Sequence, residues 1–240
     1  MLRALADRGF EVMALHHAEA ILVHDMPEAL SDLERVLADV TVSPEELVRG
    51  GGGETGLTQR LRRSFCDRGW LKRNFEIKKI VDGVERESIS HEVDHVKSFD
   101  RGTFALEIEW NNKDPFFDRD LENFKRLHAE GAISVGGIIT RGESLNESLR
   151  EIVEFFALQR GINRIEEARA YYDPTARQVE AIQKQADKSG NFEKSWAKSF
   201  VSDKFAESTT HWRKLEDRVR RGVGNPCPLL LIGLPRSIVQ

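Results

Sequence analysis

Apolar and polar positions alternate most sharply over residues 103–110. There Phe104, Leu106, Ile108 and Trp110 fall on one face of an extended chain, and Thr103, Ala105, Glu107 and Glu109 on the other. A period of two predicts a strand. Shorter strands are predicted at 75–81 and 89–96, joined by a turn at Asp82-Gly83. Residues 132–140 (AISVGGIIT) and 228–234 (PLLLIGL) are nearly continuous apolar runs, the pattern of strands buried deep in a sheet. Helical spacing occupies 27–37, with Leu30, Leu33 and Leu37 on one face, and 58–67, closed by Gly69. A third helix is predicted from Asp118 as N-cap to Glu130, with Leu121, Phe124 and Leu127 inward and Gly131 as its stop. Residues 144–157 read as helix. Residues 174–222 read as helix-rich and polar, with breaks near Gly190 and at 208–210. The order strand, helix, buried strand across 103–140 predicts parallel pairing through a right-handed crossover. The whole predicts an α/β fold with a mixed central sheet flanked by helices. The glycine run at 50–53 is expected to be a flexible joint.

Composition narrows the class. A chain of 240 residues, 40% hydrophobic and 32% charged, suits one substantial domain spanning 1–240 with a well-solvated surface. No apolar stretch reaches the roughly 18 residues that a membrane span needs, so no membrane partner is expected. The first fifteen residues carry Asp7 and Glu11 and lack a small-residue cleavage pattern, so they are expected to belong to the fold. Cys66 and Cys227 lie far apart and outside any C-x-x-C pair, which argues against a disulfide scaffold or zinc ribbon and fits a reducing, cytoplasmic setting. The formal net charge of −4 neither favours nor excludes nucleic acid. Residues 58–79, however, hold eight Lys and Arg against Asp67 and Glu76, either as a solvated helix face or as a phosphate-contacting surface.

Three carboxylates carry the candidate chemistry. Asp94 is placed at the end of the strand SHEVDHV, and Glu107 and Glu109 sit two apart on the next strand, so both side chains point the same way. A hairpin through 97–102 brings Asp94 beside Glu107. Oxygen ligands from two adjacent strands are how a protein builds a site for a hard cation such as Mg²⁺. Two glutamates on one strand face would repel without such compensation. The spacing D-x12-E-x-E alone is also what an ordinary strand with one wet face displays. The seven histidines (16, 17, 24, 91, 95, 128 and 211) show no H-E-x-x-H pairing. His91 and His95, flanking Asp94, are read as structural. The glycine run is followed by Glu54 and not by Lys-Ser/Thr, so no phosphate loop for ATP is present.

The segment HEVDHVKS…GTFALEIEWNNKDPFF resembles the catalytic core of type II restriction endonucleases of the BglII/BstYI family, with Asp94 at the first acidic position and LEIEW (106–110) as the catalytic strand. Residues 17–22 (HAEAIL) are similar to the family's N-terminal helix, and 223–234 (VGNPCPLLLIGL) to its C-terminal strand. The resemblance implies a PD-(D/E)xK nuclease fold and a homodimer. It also implies Mg²⁺-dependent hydrolysis of both strands of double-stranded DNA at a short palindrome, giving 5′-phosphate and 3′-hydroxyl ends. A cognate DNA methyltransferase is expected in the same restriction–modification system.

By the same resemblance, residues 70–140 form the catalytic core, and 158–222 a helix-rich insertion used for DNA contact or dimerisation. Asp94 and Glu107 become metal ligands and Glu109 the group that activates the attacking water. Relatives carry Gln where this chain has Glu109, the wider superfamily usually Lys, and the BamHI enzyme Glu, so a general base and a second ligand both stay open for it. Asn74 follows Trp70 as an accessory active-site Asn does in the BglII enzyme, and Glu54 is a further acid that could support the site. Asn111, Asn112 and Lys113 directly follow the catalytic strand, where family loops contact bases, and Ser208, Thr209, Thr210 and His211 resemble a recognition loop. Plain turn chemistry and helix capping are the alternatives for these two stretches. The helix bearing Arg60, Arg62 and Arg63 could touch phosphates or form a dimer interface. Two other functions share these features: a structure-specific repair or recombination nuclease, and a DNA-binding relative without catalysis.

Overall fold

The computed structural model of the chain describes residues 2–49 and 53–240. The chain begins with α1 (Arg3–Ala6), β1 (Glu11–Leu15), α2 (Ala18–His24), α3 (Pro27–Ala38), α4 (Pro44–Val48) and α5 (Gly56–Cys66). Next come β2 (Leu71–Val81), β3 (Val84–Phe99), β4 (Gly102–Glu109), α6 (Pro115–Ala129), β5 (Val135–Arg141) and α7 (Glu143–Arg160). The short α8 (Ile165–Ala168) leads to α9 (Ala176–Ser189), α10 (Phe192–Lys204), α11 (Trp212–Arg220) and β6 (Leu229–Leu234). Among the described residues these strands make one mixed sheet in the order β1-β6-β5-β4-β3-β2. β4, β5 and β6 run parallel to one another, while β1 at one edge and β3 and β2 at the other are antiparallel to their neighbours. The α/β architecture with a mixed sheet and the parallel pairing across α6 are as the sequence pattern predicts. No helix among the described residues is long and apolar enough to cross a membrane.

Helices cover both faces of the sheet. Phe104, Leu106 and Ile108 of β4 enter a large core with α2, α3, α5, α7 and α10. Ala105, on the opposite face, enters a second core with Phe117, Leu121, Phe124 and Leu127 of α6 and Trp212, Leu215 and Val219 of α11. Each such side chain contributes about 1.5–3 kcal/mol when fully buried. Gly136 and Gly137 let rings approach β5 from both sides. A Cβ on Gly136 would stand 2.7 Å from the Phe124 ring, and one on Gly137 would stand 2.7 Å from Phe104. Glu107 and Glu109 share the face of Ala105 and so lie beneath α6 instead of in water.

Four boundaries differ from expectation, each for a local reason. The β2–β3 hairpin is much longer than the two short strands predicted, because β4 pairs only with the 95–99 end of β3. The rest is a two-stranded ribbon: Phe75, His91 and Val93 are buried on the part nearer the sheet, and residues 78–88 are exposed on both sides. Its tip is Asp82 (φ 51°) and Gly83 (φ 75°), both left-handed as a tight hairpin turn requires. Asp94 therefore lies inside β3 and not at a strand end. α6 starts one turn earlier than Asp118: Asp114 is its N-cap and Pro115 its first residue, since proline's missing N–H costs nothing there. α5 is capped by the Thr55 side chain and begins at Gly56. β1, not anticipated, pairs along the edge of β6 from Glu11↔Gly233 to Leu15↔Leu229. Of the expected glycine joint, only Gly53 lies within the described residues.

Candidate active site

The β3–β4 register, His95↔Leu106 through Phe99↔Gly102, brings Asp94 to the level of Glu107. The Asp94 backbone N–H points at Glu107 Oε1 at 3.4 Å. Its own side chain is more than half exposed, with Lys72 Nζ of β2 at 3.6 Å from Oδ1. Glu107 and Glu109 are 6% and 3% exposed, so the strand is not one with a wet face.

α6 adds two groups that the sequence reading did not single out. Asp120 is 2% exposed and its Oδ2 has no hydrogen-bond partner. Arg119 donates from Nε to Asp120 Oδ1 at 2.8 Å and lies 3.4 Å from Glu109 Oε1, with its guanidinium carbon 4.4 Å from the centre of the Phe116 ring. A signal for Asp120 was present. With Phe117, Leu121 and Phe124 it occupies positions i, i+3, i+4 and i+7, which puts a carboxylate on the apolar stripe of the helix.

These acids crowd one another. Burial, followed by the charges of Asp120, Asp94 and Glu109, pushes the Glu107 carboxyl up to about 9. Burial and then the Asp120 charge also raise Glu109, while burial raises Asp120 against the opposing pull of Arg119. The Asp120 charge favours the protonated form of Glu109, and the Arg119 guanidinium favours the ionised form of Asp120. Asn112 Nδ2 donates to Glu109 Oε2 at 2.6 Å and fixes its outer oxygen.

Buried acids in this number, against Arg119 and Lys72, call for additional positive charge. Among the described residues no three acidic, His or Cys side chains already close into a metal cage. The donor set is nonetheless all oxygen and includes an unpartnered buried carboxylate oxygen, which fits a hard divalent cation better than zinc or a soft metal. An open cleft of about 770 Å³ reaches the cluster through Asp94 and Asn112 and is also lined by Glu54, Trp110, Asn111 and Lys204.

The other predicted site residues divide into two groups. Asn112, Lys113 and Ser208 are exposed. Asn111, Thr209 and Thr210 are engaged inside the protein, and Thr210 and His211 are buried. The structure does not bring Asn74 into the acid cluster. It pairs with Glu92 across the ribbon and accepts from Ser90 Oγ at 2.7 Å, and Lys72 is the β2 residue that reaches Asp94. Glu54 lines the cleft and pairs with Arg62 at 3.1 Å, and Arg60 pairs with Glu46 at 2.6 Å. His91 and His95 are buried; His95 packs on Phe65 at 5.4 Å between ring centres.

The family model described as restriction endonuclease BglII/BglIII matches residues 10–234 of the chain. No curated protein matches it.

Proposed function

Because the chain belongs to the BglII/BglIII restriction endonuclease family, and is therefore a nuclease that acts on DNA, we propose that it is a type II enzyme using Mg²⁺ at Asp94 and Glu107. The observation that supports this most is the convergence of Asp94, Glu107, Glu109 and Asp120 from β3, β4 and α6 on one partly buried spot at the edge of an open cleft. A divalent ion bound there supplies the positive charge that stabilises developing negative charge at phosphorus.

The chain's own groups do the rest. Glu109 in its ionised form takes a proton from the attacking water, and the Asn112 amide, which favours that form, keeps the carboxylate oriented. The Asp120 charge beside Glu109 favours its holding the proton once taken. Arg119 balances the pair at the solvent side. Water attacks phosphorus in line, the bond to the 3′ oxygen breaks, and the products are a 5′-phosphate and a 3′-hydroxyl. The exposure of Asn112, Lys113 and Ser208 supports a role for them in meeting the duplex.

In this reading the 70–140 segment is the catalytic core and 158–222 the helix-rich insertion. The working enzyme is a cytoplasmic homodimer on a short palindrome, and a cognate methyltransferase protects the host. Digestion of phage DNA with Mg²⁺ tests it: discrete fragments with 5′-phosphate ends are expected. Cutting at branched or damaged structures, without discrete fragments from intact duplex, would instead identify a repair or recombination nuclease.

A further inference from the structure

The turn after β4 and the turn before α11 lie side by side and are laced together. Asn112 N–H donates to Thr210 Oγ1 at 3.0 Å and Thr210 N–H returns to the Asn112 carbonyl at 2.9 Å. Asp114 N–H donates to the Ser208 carbonyl at 2.9 Å, and Asn111 Nδ2 to that of Lys204 at 2.9 Å. At the centre stands Arg141, the last residue of β5, with 0% of its surface exposed. Its Nε donates to Asn146 Oδ1 on α7 at 3.0 Å. Its two terminal nitrogens donate to Asn111 Oδ1 at 2.8 Å and to Thr209 Oγ1 at 3.0 Å. The Phe205 ring centre lies 4.9 Å from the guanidinium carbon.

Among the described residues no carboxylate forms an ion pair with Arg141. A cation withdrawn from water and held only by neutral acceptors is an expensive way to fill a core. A fold that needed only packing there would be better served by an aliphatic side chain. What the planar fork provides is reach to acceptors on three separate segments at once, which a lysine cannot match. Two of those segments are the turns that carry Asn112, Lys113 and Ser208. Asn112 in turn holds Glu109.

We infer that Arg141 is a positioning residue for sequence discrimination: it fixes the 111–113 and 208–210 turns as one reading surface and, through Asn112, ties the fit of that surface to the orientation of Glu109. The inference rests on the nuclease reading above. A duplex that fits poorly displaces a turn, and the displaced turn withdraws the Asn112 amide from Glu109. Loosening the pin should therefore blur the difference between right and wrong sites more than it slows the enzyme at the right one.

The test is to sequence all fragment ends from phage DNA cut by the wild type, by Arg141→Lys and by Ile182→Val. The last is a packing change in α9, which among the described residues makes no hydrogen bond to either turn, included to match the loss of thermal stability. The readout is the ratio of ends at the dominant site to ends at sites differing by one base pair. Arg141→Lys should lower that ratio at least tenfold while Ile182→Val leaves it as in the wild type. An equal ratio in all three, with similar falls in melting temperature for the two variants, would overturn the inference. If Arg141→Lys does not fold, Asn111→Ala and Thr209→Val take its place, each removing one acceptor. A lowered ratio in either supports the inference and an unchanged ratio in both ends it. Random ends from the wild type would remove the nuclease reading, and this inference with it.

Discussion

Replacing Glu107 with Gln should make the metal-free protein less sensitive to pH while destroying its activity. Glu107 is raised from an ordinary value of 4.5 to about 9 by burial and by the charges of Asp120, Asp94 and Glu109. Between those values the folded chain keeps a proton that the unfolded chain has released. The folded state thus binds more protons, and its stability is full at low pH and falls as pH rises through this window. The fall is about 1.4 kcal/mol per pH unit for one group. Between about pH 5 and about pH 8 it amounts to roughly 4 kcal/mol, a large share of a typical domain's stability. Gln has nearly the same shape and does not titrate, so the variant should lose this part of the slope. Urea unfolding of both proteins in excess chelator, at the two pH values, measures it. Parallel pH slopes for the two proteins would show that Glu107 is not held as a buried acid, and the argument from carboxylate crowding would fail.

The same proton governs metal binding. Mg²⁺ must displace it, so affinity should tighten as pH rises from about 6 to about 8, with proton release seen by calorimetry in two buffers. Chelator should stop cleavage and added Mg²⁺ restore it, and pH-independent binding would contradict the ligand assignment. Gly136→Ala should lower stability by about 1–3 kcal/mol, because its Cβ would meet the Phe124 ring at 2.7 Å; an unchanged melting temperature would show that α6 packs less closely on β5. Lys113→Ala should leave folding intact and reduce the salt dependence of DNA binding by about one phosphate contact. An unaltered slope would place Lys113 away from the duplex.

Much of this was legible in the chain because burial leaves a period. β4, β5 and β6 are found nearly where the alternation and the apolar runs put them, and the Glu107-x-Glu109 spacing fixes their shared face. Of the β2–β3 ribbon, the stretches at 75–81 and 89–96 and the turn at 82–83 are legible, while 71–74 and 84–88 have no buried face and carry no period. Proline at 115 outweighed Asp118 as a start signal for α6. Asp120 could have been found as the one acid on the stripe of that helix, but what makes it matter, its charge beside Glu109 and Glu107, exists only once α6 lies across β4. The engagement of Asn111, Thr209 and Thr210 around Arg141 joins residues about thirty to about a hundred positions apart and leaves no local mark. Polar turns that look free to read bases are, in part, fastened to one another.

The central claim is that Glu107 helps to hold the ion that the reaction needs and does not help to hold the DNA. Cleavage and DNA binding by Glu107→Ala, measured beside the wild type on the same duplex in Mg²⁺, address it directly. The account predicts binding that persists and cutting that is abolished. Cutting that continues at the wild-type rate would contradict it.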